Sequence, residues 1–323
     1  MISTELFNLK NEIESLGQYH GTINKISEFT YVWEPQKKNE LLFEKPIHLT
    51  LQAITHGNEI GGIYVIKKIV ELLKNKQITP NISIAFVLAN YKAAVRNQRF
   101  IDYDLNRVFG SKGGFSLEHN RAKEIESVLN QTYFLLDIHQ TIEFTTTPFF
   151  VFKFNNSALD FVKNINNTIP VVTYFDEEFS KDGFCSDEFV LNKGGVGVTI
   201  EISQKGNDSI FIERAVDNVL KCIRYVEQYS LSKSETNSIE PNELYNCSDI
   251  IYYEDGSELN PGLHNFKEVS AGDILGKSNN GPIIARIDGY ILFPKYNLDK
   301  YKVKPKEICQ IIRKIQLDKT TKI

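Results

Sequence analysis

Alternating extended and amphipathic segments through the first two-thirds of the chain predict an α/β fold, with a mixed or mostly parallel sheet flanked by helices. Beyond residue 243, short β-like runs separated by Asp255-Gly256, Asn260-Pro261-Gly262 and Asn280-Gly281-Pro282 predict a smaller β-rich C-terminal domain. Between the two, 231–242 (LSKSETNSIEPN) is polar, contains Pro241 and has no apolar period, so it reads as a linker. The expected organisation is a catalytic domain over 1–235 and a second domain over 243–323. A chain of 323 residues, 41% hydrophobic and 24% charged, has the length and composition for this.

The elements follow in order. Residues 47–55 (IHLTLQAIT), bounded by Pro46 and Gly57 and rich in β-formers, predict a strand. Over 60–75, Ile63, Ile66, Ile69, Val70 and Leu73 recur at helical spacing with lysines on the opposite face. The apolar run 83–90 (SIAFVLAN) predicts a strand buried on both faces. A helix over 117–130 turns Ala122, Ile125, Val128 and Leu129 inward, and a strand follows at 133–138. Further strands are expected at 149–154, 170–174 and 196–202. A long helix over 210–229 carries Ala215, Val216, Val219, Leu220, Ile223 and Val226.

Charge and cysteine usage exclude several classes. The balance of 37 basic against 41 acidic residues lacks the basic footprint of a nucleic-acid binder. No apolar run approaches the ~18 residues of a membrane span, and Met1–Gly17 has no secretory h-region. The scattered Cys185, Cys222, Cys247 and Cys309 form no C-x-x-C and read as core thiols of a reducing compartment, so a cytoplasmic protein is expected. Sequons at Asn130 and Asn246 reflect an Asn-rich composition. Only eight of the 37 basic residues are arginine, yet Arg96, Arg99 and Arg107 fall close together. Such a cluster points to a need for fork geometry, as in carboxylate recognition.

Three features at predicted strand ends make one site. His56-Gly57-Asn58-Glu59 follows the first strand, and an H-x-x-E pair on a turn can aim an imidazole and a carboxylate at one ion. Asp137-Ile138-His139 ends a buried strand and brings a second imidazole; a hydrogen-bonded histidine at a strand end is the plain alternative. Glu201 sits in the apolar run Gly197–Ser203, where burial is costly unless the carboxylate is paired or faces a cleft; the alternative is the solvent face of an edge strand. Two histidines and a glutamate match a catalytic zinc site with a fourth position open to water, and Glu201 then serves as the base. Arg99–Arg107 adds an arginine to polarise a carbonyl, with Asn106 and Arg107 to clamp a carboxylate. Exposed arginines paired with Asp102 and Asp104 are the competing reading.

The motifs H-G-N-E, D-L-N-R-V-F, D-I-H and T-I-E occur in the order and spacing of the succinylglutamate desuccinylase/aspartoacylase family, of the zinc carboxypeptidase clan, which this chain resembles over most of its length. Gly289–Pro294 (GYILFP) looks like a strand of that family's C-terminal β domain. The resemblance implies a zinc-carboxypeptidase-like fold, one Zn2+ held by His56, Glu59 and His139, and Glu201 as general base and acid. It implies Arg99 as the residue polarising the substrate carbonyl, Asn106 and Arg107 as carboxylate binders, and Tyr290 in the pocket wall. Asp137 is either an orienter of His139 or a strand-end residue, and Arg96 is expected at the surface. The implied reaction is hydrolysis of a small anionic N-acyl amino acid, with no nucleic-acid or membrane partner. A carboxypeptidase acting on peptides and a non-catalytic metal-binding protein are the alternatives.

The sequence departs from the family at two places that bear on substrate choice. Only Lys193 stands near the position of a further arginine ahead of the catalytic Glu, and the stretch after His139 carries the acidic Glu143. Gly272–Ser278 (GDILGKS) imitates a phosphate loop, but Ala271 occupies the required glycine position, so a β turn is expected there.

Overall fold

The computed structural model describes residues 2–19, 21–38, 45–174, 183–231, 243–298 and 304–316. The expected linker therefore lies outside the described residues except for Leu231, which ends a helix. Helix α1 (Ile2–Ser15) turns Leu6, Leu9 and Ile13 into the core and precedes a hairpin of β1 (Thr22–Ser27) and β2 (Thr30–Glu34). The first predicted strand is β3 (Ile47–Ala53), buried at every residue. Helix α2 (Gly61–Lys74) buries the predicted stripe Ile63, Ile66, Ile69, Val70 and Leu73. Next come β4 (Ile84–Leu88), the short α3 (Tyr91–Val95), α4 (Leu117–Leu129) and β5 (Thr132–Thr141). Then β6 (Phe149–Lys153), α5 (Asn156–Asn166), β7 (Val171–Tyr174), α6 (Ser186–Asn192), β8 (Val196–Gln204) and α7 (Ser209–Leu231) follow.

The later strands are β9 (Leu244–Tyr252), β10 (Glu258–Leu259), β11 (Glu268–Val269), β12 (Ile274–Ser278), β13 (Gly281–Ile284), β14 (Gly289–Leu292) and β15 (Glu307–Lys314). The sequence imitating a phosphate loop is thus strand β12 running into its turn with β13. Among the described residues, one twelve-stranded mixed sheet has the order β1-β2-β4-β3-β5-β8-β6-β7-β9-β15-β14-β11. Strand β9 pairs in parallel with β7, so the C-terminal strands continue the same sheet. Strands β10, β12 and β13 form a separate three-stranded sheet. No helix among the described residues is long and apolar enough to cross a membrane.

Two apolar layers clamp the sheet. One gathers Leu6, Ile66, Phe134, Ile138, Phe161, Ile200 and Val219, and includes Leu244, Leu292 and Ile312 from the C-terminal strands. The other packs Val87, Leu105, Ile125, Leu135 and Phe189 beneath α4 and α6. A third core around Leu275, Ile291, Ile308 and Ile311 belongs to the C-terminal segment alone.

The parallel strands β3, β5 and β8 stand side by side, and their register aligns Gln52 with Asp137 and His139 with Glu201. Helix α6 approaches β8 so closely that a Cβ on Gly197 would lie 2.5 Å from the carbonyl oxygen of Asp187. Backbone on both sides cannot give way. Gly197→Ala is therefore expected to lower stability by about 2 kcal/mol or more. The check is the midpoint of urea unfolding at constant slope; an unmoved midpoint would contradict this packing.

Candidate metal centre and cavity

The chain leaves β3 through an unusual bend. Ile54, fully buried and β-branched, has φ 52°, a left-handed conformation that such residues rarely adopt. Backbone N–H groups of Ala89 and Asn90 donate to Ala53 and Ile54 and hold it there. Gly57, three residues further on, has another purpose. A Cβ on it would lie 2.4 Å from the nitrogen of Ala94, so it admits close backbone contact with α3.

The bend presents His56 and Glu59, and β5 presents His139. Glu59 is 3% exposed; its Oε1 lies 2.8 Å from His56 Nδ1 and its Oε2 3.0 Å from His139 Nδ1. The imidazole rings stand 4.8 Å apart at 78°. One ligand atom from each of the three residues lies within 4.8 Å of the others. Burial alone would raise the Glu59 carboxyl, but the charges of His56 and His139 outweigh it and hold the group low. Two imidazole nitrogens and an ionised carboxylate, converging and dry, are a donor set of the type that zinc takes.

Both imidazoles are backed by carboxylates. His139 Nε2 is 3.1 Å from Asp137 Oδ2, and His56 Nε2 is 3.3 Å from Asp104 Oδ1. Neither contact is aligned as a hydrogen bond, so both Nε2 atoms stay unbonded while facing a negative charge. Asp137 is fully buried and accepts from Gln52 Nε2, Thr55 Oγ1 and Ser186 Oγ. A carboxylate facing the outer nitrogen of each ring is the kind of partner that stands behind metal-binding histidines. Burial opposes ionisation of Asp137, and His139 with these donors holds its carboxyl below the usual range. His139 is conversely raised, against the effect of burial, by Asp137 and Glu59.

Arg99 is neither a free surface arginine nor a free catalytic one. Its Nη2 lies 3.1 Å from Asp104 Oδ2 and its Nη1 3.5 Å from Glu59 Oε1, so the expected pairing with Asp104 forms beside the metal donors. Arg96 is exposed. Asp104 also caps the turn Leu105–Arg107 by accepting the Asn106 N–H. Asn106 Oδ1 accepts the Ser186 N–H, and Arg107 Nη1 donates to Asn106 O while lying 3.4 Å from Cys185 Sγ. The loop owes its shape to Glu118 of α4, which accepts the N–H groups of Ile101, Asp102 and Tyr103. No spacing rule marks Glu118 or the role of Asp104, because each acts on a segment met only in the fold.

Glu201 stands across the strand from His139, 8% exposed, with Oε2 unbonded. Burial, and then the charge of Glu59, push its carboxyl up to about 8. It is not on an exposed edge, since β6 covers the other side of β8.

His56, Glu59, Arg99, Asp104, Asn106, Arg107, His139 and Glu201 line one cavity of about 350 Å³, together with Tyr174, Cys185, Asp187, Glu188 and Thr199. The C-terminal segment closes it with Ile250, Tyr252, Phe293, Pro294, Lys295 and Glu307. Tyr290, expected in the wall, is not among the lining residues. It pairs with Ile312 in the sheet and packs edge-on against Tyr245, 5.5 Å between centroids.

Comparison with known proteins follows the same outline. Residues 46–226 match the model of the succinylglutamate desuccinylase/aspartoacylase catalytic domain. A succinylglutamate desuccinylase of Pseudomonas paraeruginosa is 34% identical over 27% of this chain and 27% of its own length. A probable aspartoacylase of Trichodesmium erythraeum is 28% identical over 46% of this chain and 56% of its own length. The match to an N-acyl-aromatic-L-amino acid amidohydrolase of Xenopus tropicalis, at 37% identity, spans 32% of this chain and 37% of the relative. The chain thus spans between about a quarter and somewhat over half of these relatives. The solved succinylglutamate desuccinylase of Chromobacterium violaceum shares the fold at a TM-score of 0.68 and 16% identity, covering 96% of this chain and 98% of its own. Murine aminoacylase 3 does so at 0.64 and 19%, covering 84% and 97%. The family model matches more than half of the chain, which therefore belongs to the succinylglutamate desuccinylase/aspartoacylase family.

Proposed function

We propose that the protein is a zinc-dependent amidohydrolase that cleaves the amide bond of an N-acyl amino acid. The observation that carries this reading is the conjunction of a His56-Glu59-His139 donor set with an unbonded, buried Glu201 carboxyl in one cavity. The relatives named above as a desuccinylase, an aspartoacylase and an N-acyl amino acid amidohydrolase support it. When held by His56, Glu59 and His139, a zinc ion supplies Lewis acidity to the substrate carbonyl and to water.

The chain's own groups supply the rest. Glu201, pushed up to about 8, lies near the range where a carboxyl both accepts and returns a proton at neutral pH. It takes a proton from the attacking water and returns it to the departing nitrogen. The products are the freed carboxylate and the amine. Arg99 presents a guanidinium beside the reacting carbonyl, where it offsets charge developing on oxygen. Asn106 and Arg107 bind the amino acid's carboxylate, Asn106 through its amide Nδ2, since its Oδ1 is already engaged by Ser186. Asp137 and Asp104 orient the two imidazoles.

A bounded cavity of about 350 Å³ suits a small acylated amino acid better than a peptide. In this reading residues 243–323 act as a C-terminal unit that walls the cavity. The four free cysteines fit a cytoplasmic setting.

Metal analysis of the purified protein is expected to give about one zinc per chain, as for a three-ligand catalytic site. His56→Ala is expected to lose both metal and turnover, and a metal-free native protein that still hydrolyses substrate would overturn the reading. Glu201→Gln removes the proton acceptor while keeping shape. It should retain zinc and lose turnover by roughly 100-fold to 10,000-fold. Near-native activity in this variant would remove Glu201 from the proton-transfer role.

A further inference from the structure

Gln140 follows the metal donor His139 near the end of β5, and the reaction above does not use it. It is 2% exposed and lines the cavity. Its backbone N–H donates to Glu59 Oε2 at 3.1 Å. Its side-chain amide reaches two further segments. Oε1 accepts the N–H of Gly61, the first residue of α2, at 2.7 Å. Nε2 donates to Ser203 Oγ at 3.0 Å, to Gln204 O at 3.0 Å and to Gly206 O at 3.1 Å. These partners fix which end of the amide is oxygen, because an N–H meets only Oε1 and a carbonyl oxygen only Nε2.

The amide lies where the ladder between β5 and β8 is irregular. His139 pairs with Glu201, but the next pair is Thr141 with Gln204. Gln140 therefore stands opposite two residues, Ile202 and Ser203, and β8 bulges directly after Glu201. A bulge leaves one residue outside the ladder and re-aims the strand. Here the Gln140 amide supplies the missing bonds from the opposite strand. On its other side the amide is tightly enclosed, since a Cβ on Gly61 would lie 2.6 Å from Gln140 Cδ. Both hydrogens of Nε2 are engaged and Oε1 already holds a donor. The amide thus acts through its protein partners and not on a ligand. Those partners lie close to the chemistry: Gly61 is two residues after Glu59, and Ser203 two after Glu201.

We propose that Gln140 is a positioning residue, whose amide pins the start of α2 and the bulge of β8 to β5 and so sets the metal donors and the Glu201 carboxyl in one geometry. This rests on the amidohydrolase reading above. Without the amide, Gly61 and the bulge each lose a buried partner, and Glu59 and Glu201 shift relative to His139.

The test uses the full chain and three variants. Zinc affinity is read by competition with a chelator, which needs no turnover. Kinetics follow on zinc-saturated protein, with N-acetyl-L-aspartate or N-succinyl-L-glutamate, whichever turns over faster. Gln140→Met keeps the side chain's length and removes both polar ends. It is expected to bind zinc about 10-fold to 100-fold more weakly, as when partners behind metal donors are lost, and to lower kcat with KM little changed. Ser203→Ala removes an acceptor on the β8 side alone. It should lower kcat by about 5-fold, the worth of one hydrogen bond, and leave zinc affinity as it is. Combined with Gln140→Met it should have no further effect. Gly61→Ala favours the helix by propensity, yet it displaces the amide and should weaken zinc as Gln140→Met does.

Native zinc affinity and kcat in Gln140→Met, with only the unfolding midpoint lowered, would mean a purely structural amide and overturn the proposal. Equal effects of Ser203→Ala with and without Gln140 would do the same. Should Gln140→Met fail to fold, the other two variants decide, and native zinc affinity in Gly61→Ala or native kcat in Ser203→Ala overturns it. If the native protein hydrolyses no N-acyl amino acid, the amidohydrolase reading fails. Chelator competition then still decides the positioning of the donors: weaker zinc in Gln140→Met and Gly61→Ala supports it, and unchanged affinity overturns it.

Discussion

The arrangement of the site depends on one interaction, the clasp of the buried Glu59 carboxylate between His56 and His139. An ionised carboxylate removed from water costs several kcal/mol unless opposite charge replaces its hydration. Here the imidazoles provide that charge, and each in turn faces an aspartate, Asp104 or Asp137. Asp104 meets Arg99, while Asp137 is satisfied by Gln52, Thr55 and Ser186. Acid and base alternate outward from Glu59 until the chain of contacts reaches β3, β5, the first turn of α6 and the loop after α3. The clasp thus ties four segments distant in sequence, and a cation between the three donors would take over the positive charge that the imidazoles supply rather than create the pocket.

Strand register makes this clasp possible. Parallel neighbours β3, β5 and β8 bring Gln52, Asp137, His139 and Glu201 to the same end of the sheet, where α/β proteins gather their chemistry. The bend at Ile54 then turns His56 and Glu59 back over that end. A β-branched residue in the left-handed region costs of order 1–3 kcal/mol and persists only when its surroundings hold it. The surroundings are the two backbone hydrogen bonds from Ala89 and Asn90, in the segment that leads to Arg99. Strain and ligand placement therefore share one anchor.

Much of this was legible in the sequence, because strand ends marked by polar residues after apolar runs are local signals. His56, Glu59, His139 and Glu201 were each visible that way, and the strands carrying them were bounded within a few residues. Other parts were not. The amphipathic helix at Ile2–Ser15 buries only Leu6, Leu9 and Ile13, a stripe too thin to stand out among its charges. The hairpin β1–β2 joins the sheet through β4, so its partner lies far along the chain. Asp104 was visible only as a salt-bridge partner for arginine, since its contact with His56 exists only after the loop folds. Tyr290 was placed by resemblance alone, yet the sheet turns it toward Tyr245. Local patterns specify elements and their ends; contacts between ends require the topology.

The distribution of unsatisfied groups carries the argument one step further. Among the described residues, Gln52 Oε1, His56 Nε2, His139 Nε2 and Glu201 Oε2 are buried without hydrogen bonds at the clasp or its immediate neighbours, while others, Asn246 Oδ1 among them, lie elsewhere. Each costs folding free energy that an apolar side chain would not. The atoms at the clasp are those to which an ion, a water molecule or a charged ligand brings the missing interaction. Occupation of the cavity therefore does two things at once. It completes the chemistry, and it returns stability that the unliganded fold lacks, because binding to the native state alone shifts the folding equilibrium in its favour. Affinity at this site is in that sense stored in the fold, as polar groups desolvated in advance and held in position by the sheet.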